Sequence, residues 1–131
     1  MPNAVRERLL SEHRPTLERV FVCADLVAAR WDGDSVTDRA AVVTPFRRTL
    51  RAADALGPLA VALADSVTAA GYPLAAQPVP APPYVVVTSR GVLLRATLPG
   101  GRVVATLEAF EVSPYRRDGS LPEALTVERY C

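Results

Sequence analysis

Apolar residues recur at helical spacing along the opening stretch of the chain. Val5, Leu9, His13, Leu17, Val20, Phe21, Ala24, Val27, Ala28 and Trp31 fall on one stripe, with charged residues between them. This is the pattern of an amphipathic helix whose stripe faces a core. Asn3 is a suitable N-cap and Gly33 a suitable stop. Pro15 removes an N–H and collides with the preceding turn, yet the stripe keeps its register across it. The pattern predicts one kinked helix or two short helices stacked nearly end to end.

After a turn at Trp31-Asp32-Gly33-Asp34, Ser35 and Asp38 form a variant capping box. A second helix then presents Val36, Ala40, Val43, Phe46 or Arg47, Leu50 and Ala53, with a kink expected at Pro45. Leu56-Gly57-Pro58 closes it and opens a third. That third helix buries Leu59, Leu63, Val67 and Ala70 and ends at Gly71.

Residues 72–83 carry Pro73, Pro78, Pro80, Pro82 and Pro83 and read as an extended connector. The period then changes from helical to alternating. Residues 84–88 are β-branched and aromatic, residues 92–98 follow, and Pro99-Gly100-Gly101 makes a tight turn into residues 102–112. On this last strand Val103, Ala105, Leu107 and Ala109 face one way, and Val104, Thr106, Glu108, Phe110 and Val112 the other. Residues 113–131 read as loop, with residues 125–129 as a short edge strand at most.

The expected fold is therefore α+β and a single domain. A helical half over residues 3–71, with three to four helices kinked at Pro15 and Pro45, packs on a three-stranded antiparallel sheet over residues 84–112.

Composition adjusts this picture in two ways. Half of the 131 residues are hydrophobic and only 22% are charged, which is apolar for so small a domain. Self-association, as a homodimer, would cover the surplus. All fifteen basic residues are Arg, with no Lys and no Ile, which reflects GC-rich coding rather than selection for phosphate. A net charge of +1 provides no global field toward nucleic acid or a membrane. The opening residues lack the apolar run of a signal peptide, and the longest uncharged stretch is broken by prolines. The expected location is cytoplasmic, with no membrane partner.

No catalytic, cofactor or metal motif emerges. His13 stands alone on the apolar stripe, where a packed, hydrogen-bonded histidine is the ordinary outcome. Asp32, Asp34 and Asp38 resemble the start of a calcium loop, but Val36 and Thr37 stand where a ligand and a glycine are needed. Cys23 reads as a buried hydrophobe, and Cys131 has no activating neighbour. Glu108 and Glu111 are expected to pair with Arg95 or Arg102 across the sheet, worth about 0.2–1 kcal/mol each.

Two arginine groups are the candidate anion or nucleic-acid contacts: Arg47, Arg48 and Arg51 on the second helix, and Arg90, Arg95 and Arg102 on the strands. Arg116 and Arg117 follow the third strand. Shared on one face, they would make an anion-binding surface, although few aromatics accompany them.

The block Ala81-Pro82-Pro83-Tyr84-Val85-Val86-Val87-Thr88-Ser89-Arg90-Gly91 resembles a family of small uncharacterised haloarchaeal proteins. So do Leu94-Arg95-Ala96-Thr97-Leu98, Glu108-Ala109-Phe110-Glu111-Val112, Cys23-Ala24-Asp25 and Trp31-Asp32-Gly33. The resemblance implies a cytoplasmic archaeal protein of unassigned function and transfers no catalytic residue.

The leading expectation is a non-enzymatic interaction module that self-associates. The alternatives are an accessory RNA or DNA binder using the arginines, and a small-molecule binder or enzyme in a helix–sheet crevice where Tyr84 and Arg95 converge.

Overall fold

The computed structural model describes residues 2–131. Its helices are α1 (Pro2–Glu12), α2 (Arg14–Ala28), α3 (Ala40–Ala52) and α4 (Leu56–Ala69). Its strands are β1 (Val85–Val87), β2 (Gly91–Leu98), β3 (Gly101–Glu108), β4 (Phe110–Glu111), β5 (Arg116–Arg117) and β6 (Leu125–Tyr130). The α+β class and the division into a helical half and an antiparallel sheet hold.

The opening stripe is divided between two helices. The break falls at His13, and Pro15 sits in the first turn of α2, where its missing N–H has no helical partner to lose. Val5 and Leu9 of α1 and Leu17, Val20, Phe21, Ala24 and Val27 of α2 are all buried. The second predicted helix starts later than expected. Val36 is instead bridged to Tyr115, and Asp38 Oδ1 accepts the Ala40 N–H at 3.0 Å, so Asp38 alone turns the chain into α3. That helix continues through Pro45 to Ala52. It ends in a Schellman-type turn, with Asp54 at φ 52° and the Ala55 N–H on the Leu50 carbonyl at 2.9 Å. This short link sends α4 off at 83° to α3.

The main sheet has four strands in the order β1-β2-β3-β6, not three. The difference is β6, which pairs with β3 from Arg102↔Tyr130 to Leu107↔Leu125. Its alternation is weak because only Leu125 is fully buried and the rest is exposed or half-exposed, so its apolar signal is that of an edge. The β2–β3 hairpin turns at Pro99-Gly100, with Leu98 opposite Gly101, as the turn residues predict.

The inner face of the sheet presents Val85, Val87, Val92, Leu94, Ala96, Val103, Ala105 and Leu107, all buried, to the helices. Here α1 and α4 pack on one another, and they meet β6 and β2 respectively. Among the described residues no second layer covers the outer face: Val86, Leu93, Arg95, Val104 and Thr106 are half-buried and Glu128 is exposed. Antiparallel sheets tolerate such an open face.

The alternation expected along residues 102–112 fails at one point. The Ala109 and Phe110 N–H groups both donate to the Arg90 carbonyl, at 2.8 and 3.0 Å. Two donors on one acceptor mark a β-bulge, which shifts the faces by one residue. Phe110, expected beside Glu108, is turned inward instead, 3% exposed, and its ring stands edge-on to Phe46 at 5.3 Å.

Candidate functional site

The six candidate arginines are distributed over three places. Arg95 and Arg102 are diagonal neighbours on the outer sheet face, since Arg95 pairs with Val104 and Thr97 with Arg102. Arg90 lies in the β1–β2 turn at the opposite end of β2. Arg47, Arg48 and Arg51 are exposed on α3. Arg90 therefore does not join Arg95 and Arg102 on one surface.

On the outer face, one row across the sheet contains Arg95, Val104 and Glu128, and the next contains Thr97, Arg102 and Tyr130. The Arg102 guanidinium sits 4.8 Å above the Tyr130 ring, a cation–π contact. Arg95 has no such outlet. Its Nε is shut from solvent and lacks a hydrogen-bond acceptor, and Val104 separates it from Glu128. Tyr84 stands opposite Arg95 in the ladder, with its carbonyl taking the Arg95 N–H at 2.8 Å. Their main chains are paired, and Arg95 lies on the face away from the helices rather than in a helix–sheet crevice.

The expected ion pairs across the sheet are not formed. Register sets Glu108 opposite Gly91, at the far end from Arg102, and Glu111 pairs with Arg116 at 3.9 Å. Glu108, Glu111, Asp118 and Glu123 instead surround a cavity of about 330 Å³ with Phe110, Gly119 and Ser120. Among the described residues no group of His, Cys, Asp and Glu is arranged to hold a metal ion.

Arg117 is internal in its role. Its Nε donates to Asp25 at 2.8 Å, and its Nη1 donates to the carbonyls of Ala109, Asp118 and Gly119 at 3.2, 2.8 and 2.7 Å. Its guanidinium lies 5.3 Å from the Phe21 ring centre. It ties the β4–β5 pair to α2, with its Nε and Nη1 donors engaged within the domain.

His13 has a partner that the sequence did not reveal. Its Nε2 lies 2.6 Å from Asp65 Oδ2, and Arg8 grips the same carboxylate through Nε at 3.0 Å and Nη2 at 3.3 Å. The Arg8 hydrogen bond, then that of His13, hold the Asp65 carboxyl below its ordinary pKa. The cluster fastens the α1–α2 break to α4. Helical periodicity places His13 on the stripe but does not point to Asp65, which is fifty-two residues away. Cys23 is buried as expected, and burial pushes its thiol pKa up, the state of an inert structural cysteine. Among the described residues no single helix is long and apolar enough to cross a membrane.

Comparison with known families gives one match. The chain belongs to the family described as a domain of unknown function (DUF7988), whose model covers residues 3–129. No curated protein and no solved structure shows significant similarity to it.

Proposed function

We propose that this domain is a non-enzymatic protein-interaction module that pairs with a second copy of itself through the open face of its sheet. The observation that carries the reading is Arg95, a half-buried arginine on the open sheet face whose side chain has no hydrogen-bond acceptor among the described residues. Its Nη groups, unlike the enclosed Nε, remain accessible, and a carboxylate from a second copy would give them a charge-assisted bond.

One row of the face is self-complementary. A two-fold axis running along β3 stacks Val104 on Val104 and brings Arg95 of each copy over Glu128 of the other, because Arg95 and Glu128 flank Val104 in one row. Val86 and Leu93 add apolar area beside it. Such isologous pairing is the commonest symmetry of soluble oligomers.

Size-exclusion chromatography with light scattering tests it. The wild type is expected to elute as a dimer and Leu93→Glu as a monomer with unchanged circular dichroism. A monomeric wild type at every concentration overturns the reading.

One observation favours a second reading, contact with RNA or DNA. Arg102 stacked on Tyr130 beside Arg95 places cations and a ring on an open sheet, the elements of a base-stacking platform. A 260/280 nm absorbance ratio that is raised at low salt and falls at high salt would move this reading ahead of the first.

A further inference from the structure

Arg47, Arg48 and Arg51 make no ion pair and no side-chain hydrogen bond among the described residues. Their helix carries a cost for this arrangement, since like charges three and four residues apart repel. With Thr44 they line an open trough of about 230 Å³. Arg47 and Arg51 also form one wall of a narrow crevice of about 90 Å³. The opposite wall is the free edge of β1, with Pro80 and Pro82 closing one end.

The main chain of β1 adds a donor. The Arg95 N–H bonds the Tyr84 carbonyl and the Thr88 N–H bonds the Gly91 carbonyl, both at 2.8 Å. In an antiparallel ladder these pairings alternate, so Val86 is directed at β2, and the main-chain groups of Val85 and Val87 point away from it, toward the crevice. The Ala81 carbonyl takes the Val85 N–H at 3.1 Å. The Val87 N–H has no backbone acceptor among the described residues.

We propose that the crevice between α3 and β1 binds a phosphate group, held by the guanidiniums of Arg47 and Arg51 and the Val87 N–H, with Arg48 in the adjoining trough. Guanidinium forks match the oxygens of a tetrahedral oxyanion, and these hydrogen bonds are charge-assisted on both sides. Three positive charges with no carboxylate among them suit a doubly charged group better than a single carboxylate. The crevice is too small for a nucleobase, and no aromatic residue lines it, so the group is that of free phosphate or of a small phosphorylated metabolite. The site shares only Val86 with the sheet face that carries the proposed self-association.

Titration with inorganic phosphate at constant ionic strength, followed by ¹H–¹⁵N correlation spectra of the whole chain, tests the site. The expected result is a saturable shift of the Val87 amide at phosphate concentrations on the order of 10 mM or below. Alanine at both Arg47 and Arg51 is expected to weaken binding about tenfold or more, whereas Arg90→Ala leaves it unchanged. Arg47 and Arg51 are exposed, so an unchanged thermal melt will show that the double variant folds. No saturable shift, an equal shift with chloride, or equal binding by the double variant overturns the proposal. Ribose 5-phosphate competing with phosphate assigns the site to a small organic phosphate, and failure to compete assigns it to the free ion. An oligothymidylate of about ten nucleotides that binds there far more tightly than either overturns the small-ligand assignment.

Discussion

The indole N–H of Trp31 reaches the Ala41 carbonyl at 3.4 Å, the helical acceptor that Pro45 leaves without a donor. In an α-helix residue 45 would bond residue 41, and proline has no N–H to do so. The tryptophan after α2 thus supplies from outside what α3 cannot supply from within. Thr49 adds support one turn on, its hydroxyl donating to the Pro45 carbonyl at 2.7 Å.

This relationship gives a double-mutant cycle. Trp31→Phe keeps most of the ring packing and removes the donor, with an expected loss of about 1 kcal/mol. In a Pro45→Ala background residue 45 can donate, so the same change is expected to cost less. Urea denaturation of the four proteins measures the coupling, and equal losses in both backgrounds would show that the indole bond carries no stability.

Gly91 and Gly100 should respond oppositely to alanine. A Cβ at Gly91 would lie 1.8 Å from the Leu107 carbonyl oxygen, whereas one at Gly100 meets no atom within 4 Å. The close approach is to backbone, which cannot rotate aside. Gly91→Ala is expected to cost on the order of 3 kcal/mol and Gly100→Ala less than about 0.5 kcal/mol, as read from thermal melts.

Phe110 is a core residue because of the bulge at Ala109. Phe110→Ala is expected to destabilise by about 3–5 kcal/mol, and Val112→Ala, exposed two residues later, by less than about 0.5 kcal/mol. Similar small losses from both would mean that the faces alternate without interruption.

Asp65 sets an acid limb on stability. Its carboxyl pKa is depressed by the hydrogen bond from Arg8 and then that from His13. The contribution is therefore complete above the unfolded carboxyl value, about 3.9, and is lost as pH falls through the lower folded value. Asp65→Asn is expected to be less stable than wild type at neutral pH, with the gap narrowing below about pH 4. A gap that stays constant down to pH 2 would rule out this linkage.

Much of the architecture was legible because periodicity is local. The stripe from Val5 to Val27, the Gly71 stop, the Pro99-Gly100 turn and the period-two run of β2 all depend on residues close in sequence. What escaped depends on distant partners. β6 showed only as a short edge strand at most over residues 125–129, and not as a full member of the sheet, because an edge strand with one wet face needs few apolar residues. Phe110 was assigned to the wrong face because the bulge is created by the Arg90 carbonyl across the hairpin. Among the candidate site residues, Arg47, Arg48 and Arg51 do cluster, since Arg51 lies four residues from Arg47 and three from Arg48, and such positions on a helix are neighbours. Arg90 does not join Arg95 and Arg102, because five residues along a strand span about 16 Å. Asp65 was invisible as a partner of His13, and Arg117 looked like a free surface charge until the carbonyls around it were in place.

The contacts of Arg6 connect remote parts of the chain. On α1, it donates to the carbonyls of Leu125 and Pro122 at 2.9 and 2.7 Å, and β6 lies against the helix that carries it. During synthesis the first helix therefore emerges long before its docking surface exists. Until residues 125–130 leave the ribosome, Val5 and Leu9 lack part of their cover and β3 presents an unpaired edge. Folding of this domain is thus a late, largely post-emergence event, and the interval before β6 arrives is when a chaperone would have most to shield.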